Sequence, residues 1–238
     1  MMNRTNGRDG AGAAGRADRD TWLILLSPAL LLSLYHCLGR LADGAAAAGN
    51  RGAGDFYAET GRFALFFLLC MVLPLLFAKF RMRRPLRSLG FSLGDRRFGL
   101  AFTAAALVLL VVPVVYLAAG TAGIRNVYPL ARVLFRRPDL VFPYEAAYVL
   151  LYYTAWEFYF RGFLLFTLKD RFGAVEAVLI QTVPSCLIHL TKPPGELFGS
   201  IVVGIVFGAL ALRTGSFWYG WILHAAIGVL ADLFVLFG

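Results

Sequence analysis

The chain has 238 residues, of which 59% are apolar or aromatic and only 16% are charged. An average soluble domain carries roughly 25% charged residues, so the polar coat of a water-soluble globule is missing and a soluble enzyme is excluded. The net charge of +9 sits in segments between apolar runs, where membrane topology asks for it, and this argues against a nucleic-acid partner.

A span takes about 20 residues, so the length predicts an all-α polytopic membrane protein of about seven (six to eight) transmembrane helices in one bundle. Residues 1–20 are Gly, Ala, Arg and Asp with little to bury, and predict a disordered tail. An uncleaved first span is expected over 21–38, a polar loop over 39–61, and a second span over 62–80 with Pro74 as a kink. The stretch 81–98 is the most basic and reads as a cytoplasmic loop. Further spans are expected at 99–119, 143–168, 173–190, 195–212 and 216–237, with a second basic loop at 120–142. Residues 21–142 thus form an N-terminal set of helices and 143–238 a second set that carries the polar residues. Counting Lys and Arg loop by loop puts the N-terminus inside, together with 79–98, 169–172 and Arg213. The three cysteines, Cys37, Cys70 and Cys186, include no C-x-x-C pair and read as small apolar residues.

Charged side chains at mid-helix cost about 2.5–3.5 kcal/mol on insertion scales, so they face protein or a water-filled cavity. Three segments carry them. In Trp156-Glu157-Phe158-Tyr159-Phe160-Arg161-Gly162, Glu157 and Arg161 share a helix face in the order that favours an ion pair. In Ser185-Cys186-Leu187-Ile188-His189, followed by Lys192-Pro193-Pro194-Gly195-Glu196, His189 ends one span and Glu196 opens the next, where a carboxylate suits the helix dipole. In the last span, His224 and Asp232 lie about 80° apart on the helix surface, and His224 needs a partner from another helix. A buried Glu can serve as general base and a His can share the water or steady an oxyanion. Two His and one Glu also make a zinc set, although no H-E-x-x-H is present.

These residues resemble the CAAX-protease and bacteriocin-processing (CPBP) group of intramembrane proteases. Its signature is E-E-x-x-x-R, often followed by Gly, then F-x-x-x-H, then H-x-x-x-N. Glu157 with Arg161 and Gly162, then His189, then His224 match in order and separation over roughly 143–238. The first Glu is Trp156 here, the Phe is Ser185 and the Asn is Gly228. In the family the first Glu activates water with help from the first His, and the second His with the Asn stabilises the oxyanion. The resemblance therefore implies hydrolysis of a peptide bond in a membrane-associated protein or peptide within the bilayer. Glu157 would activate water shared with His189, Arg161 would orient Glu157, and His224 would stabilise the oxyanion. Glu196 or Asp232 would assist. A metal-free mechanism is favoured. An alternative zinc mechanism would make ligands of Glu157, His189 and His224. A catalytically inactive scaffold or chaperone of the same family, and a proton-coupled carrier, are the rivals. The Gly/Ala/Arg-rich tail suggests a bacterial inner membrane.

Overall fold

The computed structural model describes residues 6–49 and 54–238, with side chains described for 19–40 and 54–238. Apart from Arg19 and Asp20, the tail expected over 1–20 lies outside the described side chains. Among the described residues the chain is helical, with no strand. We number seven long helices: α1 (Asn6–Gly49), α2 (Gly54–Arg81), α3 (Arg96–Ala119), α4 (141–172), α5 (Ala174–Thr191), α6 (Pro194–Thr214) and α7 (Trp218–Phe237). Six of them, with Arg19–Arg40 as the stretch in α1, are long and apolar enough to cross a membrane. The protein is an all-α polytopic membrane protein.

The seventh, α4, is the axis of the bundle. It is apolar on every side, as suits a helix surrounded by others. Trp156, Phe158, Tyr159, Phe160 and Phe163 are all buried. It runs through wider π-type turns at Tyr148–Tyr153 and Phe158–Leu164, a feature common at functional sites. On one side, Phe63 of α2 stacks on Tyr148 at 4.6 Å. On another, the Trp221 indole of α7 donates to the Thr154 hydroxyl at 3.1 Å. The Ser27 hydroxyl of α1 meets the Tyr159 hydroxyl at 2.8 Å. Helices α5 and α6 pair closely, and the Gln181 amide donates to the Gly204 carbonyl at 2.9 Å. Outward-facing residues of α3 such as Val108, Leu109 and Leu117 are more than two-thirds exposed, as a lipid-facing surface requires.

One end of the bundle gathers the basic segments. Arg81 pairs with Asp20 at 3.0 Å, Arg84 with Asp170 at 2.8 Å, and Arg213 with Asp95 at 2.9 Å. The segments 79–98, 169–172 and Arg213, expected together on one side, are together here. The segment 82–95 is fastened to the α6–α7 turn: the Asp95 N–H donates to the Thr214 carbonyl, and the Tyr219 hydroxyl to that of Leu93. Asp95 also caps α3 by accepting the Phe98 N–H at 3.1 Å. The opposite end holds residues 120–140, Lys192 and the start of α2, where Asp55 accepts the Val133 N–H at 2.7 Å. The loop expected over 39–61 is corrected at both ends, since residues 39–49 belong to α1 and 54–61 to α2.

Candidate active site

The site is built where α4, α5, α6 and α7 meet. Glu157 and Arg161 sit one turn apart on α4, both buried, and Arg161 Nη1 donates to Glu157 Oε1 at 3.1 Å. The partner that His224 requires is the same carboxylate. His224 Nδ1 lies 2.7 Å from Glu157 Oε1, so the Nδ1–H donates and Nε2 is left outward. Glu157 Oε2 lies against Gly220 of α7, where a Cβ would approach it to 2.9 Å. Both carboxylate oxygens are thus enclosed. Arg161 is balanced by the carboxylate and flanked by the Phe160 and Phe207 rings.

Gly162, the residue after Arg161, has a packing reason. A Cβ there would come within 2.9 Å of the Leu89 carbonyl, so the glycine admits the segment 86–89 against α4.

His189 reaches the same level of the bundle. Helix depths read from the sequence place it nearer the far face than Glu157. Here the end of α5 tightens into a 3-10 turn over Ile188–Thr191, and the Trp156 ring lies 5.4 Å from His189 and 5.5 Å from His224. Trp156 thus packs against both imidazoles, buried, with its indole N–H unpartnered. His189 Nδ1 is 2.9 Å from the Ser185 carbonyl, so Nδ1–H donates and Nε2 again faces outward. The Ser185 position, where the resemblance expects Phe, supplies its backbone rather than its side chain. Both imidazoles keep partial access, with side chains 15% and 13% exposed.

The third departure also has a cause. A Cβ at Gly228 would collide with the Tyr153 hydroxyl, and the Tyr153 ring packs on His224 at 4.7 Å. The phenol occupies the space that a side chain at 228 would need.

The assisting carboxylates divide. Glu196 opens α6 and lies beside His189, with Oε1 4.0 Å from Nε2. Oε1 accepts the Tyr128 hydroxyl at 2.8 Å, and Tyr128 in turn receives the Lys192 ammonium at 3.2 Å. Burial, reinforced by the Glu196 carboxylate, pushes the Tyr128 phenol well above its ordinary value, so it remains a donor. Burial holds the Lys192 ammonium below its ordinary value. Asp232 is placed elsewhere. It is fully buried and faces Glu145 of α4, within reach of a carboxyl–carboxyl hydrogen bond. Among the described residues none of their four oxygens has a donor. Sequence reasoning missed Tyr128 and Tyr153, and it gave Glu145 no partner.

A zinc ion would need Glu157, His189 and His224 to converge. Among the described residues no three His, Cys, Asp or Glu side chains gather in that way. The Glu157 oxygen nearest His224 is already shared by Arg161 and by the Nδ1 edge of that imidazole. The residues as placed do not fit a zinc ion, and no step is derived through one.

No curated protein and no solved structure matches the chain. Residues 140–230 match the family model described as type II CAAX prenyl endopeptidase Rce1-like, a stretch that runs from the start of α4 into α7 and includes every residue of the motif. The match covers the same segment whose motif residues resemble the CPBP group of membrane proteases.

Proposed function

We propose that the chain is an intramembrane endopeptidase that hydrolyses a peptide bond in a membrane-associated protein or peptide. The observation that carries this reading is the buried Arg161–Glu157–His224 relay, with His189 and His224 both packed on Trp156. In the proposed reaction His189 holds the attacking water through Nε2. His224 acts as the oxyanion stabiliser. With a proton on both ring nitrogens, its Nδ1–H stays on Glu157 and its Nε2–H points to the developing charge. Such preorganised donors contribute about 2.7–4 kcal/mol each in comparable sites. Glu157 serves as orienter of His224 instead of as the water base, because both its oxygens are enclosed. Membrane-anchored, lipidated and leader-type peptides fit a site among apolar helices. The Gly/Ala/Arg-rich N-terminal residues support a bacterial inner-membrane location.

The test is cleavage of membrane-anchored peptide reporters by the purified chain in liposomes, with His224→Ala and His189→Ala as controls. Cleavage by wild type and its loss in both variants is the expected result. A second reading, an inactive scaffold, has one observation in its favour: the Trp156 ring packs on both imidazoles at the position of the first Glu in the motif. It expects a folded wild-type protein that cleaves no reporter.

A further inference from the structure

We propose that Glu196 is the carboxylate base of this site and that it holds the attacking water jointly with His189. The inference rests on the peptidase reading above and deepens it. Of the carboxylates near the motif residues, Glu157 has no exposure: Arg161 and His224 take Oε1, and Oε2 is buried without a donor against Gly220, whereas the Glu196 side chain is 20% exposed. Asp232 and Glu145 face each other. Position 156, where the motif has a carboxylate, carries an indole. Glu196 is the carboxylate that lies beside an outward-facing imidazole nitrogen.

The geometry between them points to a water. With Nδ1–H on the Ser185 carbonyl, a neutral His189 presents a lone pair at Nε2, and the Glu196 carboxylate is also an acceptor. Two acceptors 4.0 Å apart do not bond directly. One water donating a hydrogen to each, over legs of about 2.8 Å, spans that gap. A second observation stands apart from this distance. Glu196 Oε2 is buried and has no donor, although Oε1 is fixed by the Tyr128 hydroxyl. The turn through Lys192, Pro193 and Pro194 folds the start of α6 back onto the end of α5, and so sets Glu196 against His189. The Lys192 ammonium donates to the Tyr128 phenol that fixes Oε1.

One water O–H bond breaks and its proton passes to Glu196, forming a carboxylic acid. The water oxygen bonds to the scissile carbonyl carbon, and the carbonyl electron pair moves onto its oxygen beside His224. On collapse the C–N bond breaks, and the departing nitrogen takes the proton back from Glu196. The carboxylate is restored and one water is consumed.

The experiment uses the full chain in liposomes with a reporter that wild type cleaves. Glu196→Gln keeps an oxygen for Tyr128 to donate to, but removes the base. A kcat loss of about 100-fold or more is expected, with KM changed by less than about threefold. Formate added in excess should restore part of the rate to Glu196→Ala and none to Glu157→Ala, whose carboxylate site is enclosed. Should Glu196→Ala not fold, Glu196→Asp replaces it. It keeps the charge and withdraws the oxygens by one methylene, and kcat should fall by about tenfold or more. A Glu196→Gln protein that retains kcat within about threefold overturns the proposal and leaves the peptidase reading standing. So does a folded Glu196→Ala that formate fails to rescue. A wild type that cleaves no reporter overturns both.

Discussion

At the residue scale, the central object is one carboxylate oxygen that receives two donors. Glu157 Oε1 takes Arg161 and His224 together, inside a helix bundle where neither charge is affordable alone. Glu157→Ala leaves Arg161 buried and unpaired, and is expected to cost about 3–5 kcal/mol of stability. Adding Arg161→Leu removes the stranded charge and should recover most of that loss. Reversible unfolding in detergent reads the stability of both variants. Peptide cleavage should remain absent in the double variant, which separates a structural ion pair from a working one. Stability without recovery in the double variant contradicts the assignment. Gly220 gives a second test. Gly220→Ala places a methyl against Glu157 Oε2, moves the carboxylate off His224, and should reduce kcat by about tenfold or more. An unchanged kcat would mean that the Glu157–His224 contact is not used.

At the element scale, helix positions were legible because hydropathy marks the bilayer-spanning part of each run. The expected spans 173–190, 195–212 and 216–237 lie within two or three residues of α5, α6 and α7. The start of α2 was not legible. Residues 54–61 are polar and helical, and hydropathy does not register a helix that projects beyond the apolar slab. Within the site, the Glu157–Arg161 pair was legible from its spacing, and the need of His224 for a partner from its burial. What could not be read were contacts between segments distant in sequence. Tyr128 comes from a stretch that reads only as a basic loop, yet it fixes Glu196. Gly228 reads as a lost donor until Tyr153 is seen in its place. Gly228→Asn is accordingly expected to destabilise α7 against α4, since overpacking costs about 1–3 kcal/mol or more. Combining it with Tyr153→Ala should restore part of the stability, as measured by thermal unfolding. Additive losses in the double variant would contradict the proposed steric conflict.

At the scale of the whole molecule, the basic end is held to the bundle by Asp95, which caps α3 and bridges to Arg213 of α6. The Phe98 N–H, followed by Arg213, keeps this exposed carboxyl below its ordinary value. A depressed carboxyl stabilises the fold above its unfolded value, and that contribution is lost as pH falls through the lowered folded value. The stability difference between wild type and Asp95→Asn should therefore be present at neutral pH and disappear on acidification, as thermal scans across pH will show. A difference independent of pH would assign the effect to packing instead of charge. The residues proposed for the chemistry sit on four helices, α4 to α7, while α1 and α2 pack on α4, and α3 packs on α7 and presents lipid-facing surface.

The central claim is that the paired imidazoles cleave peptide bonds inside the membrane. The most direct measurement is cleavage of a membrane-anchored peptide library by the purified wild-type chain in liposomes, alongside His224→Ala and a zinc chelator. The account predicts cleavage by wild type that persists with chelator and is lost in His224→Ala. A folded wild type that cleaves nothing, or a His224→Ala variant that cleaves as fast as wild type, would contradict it.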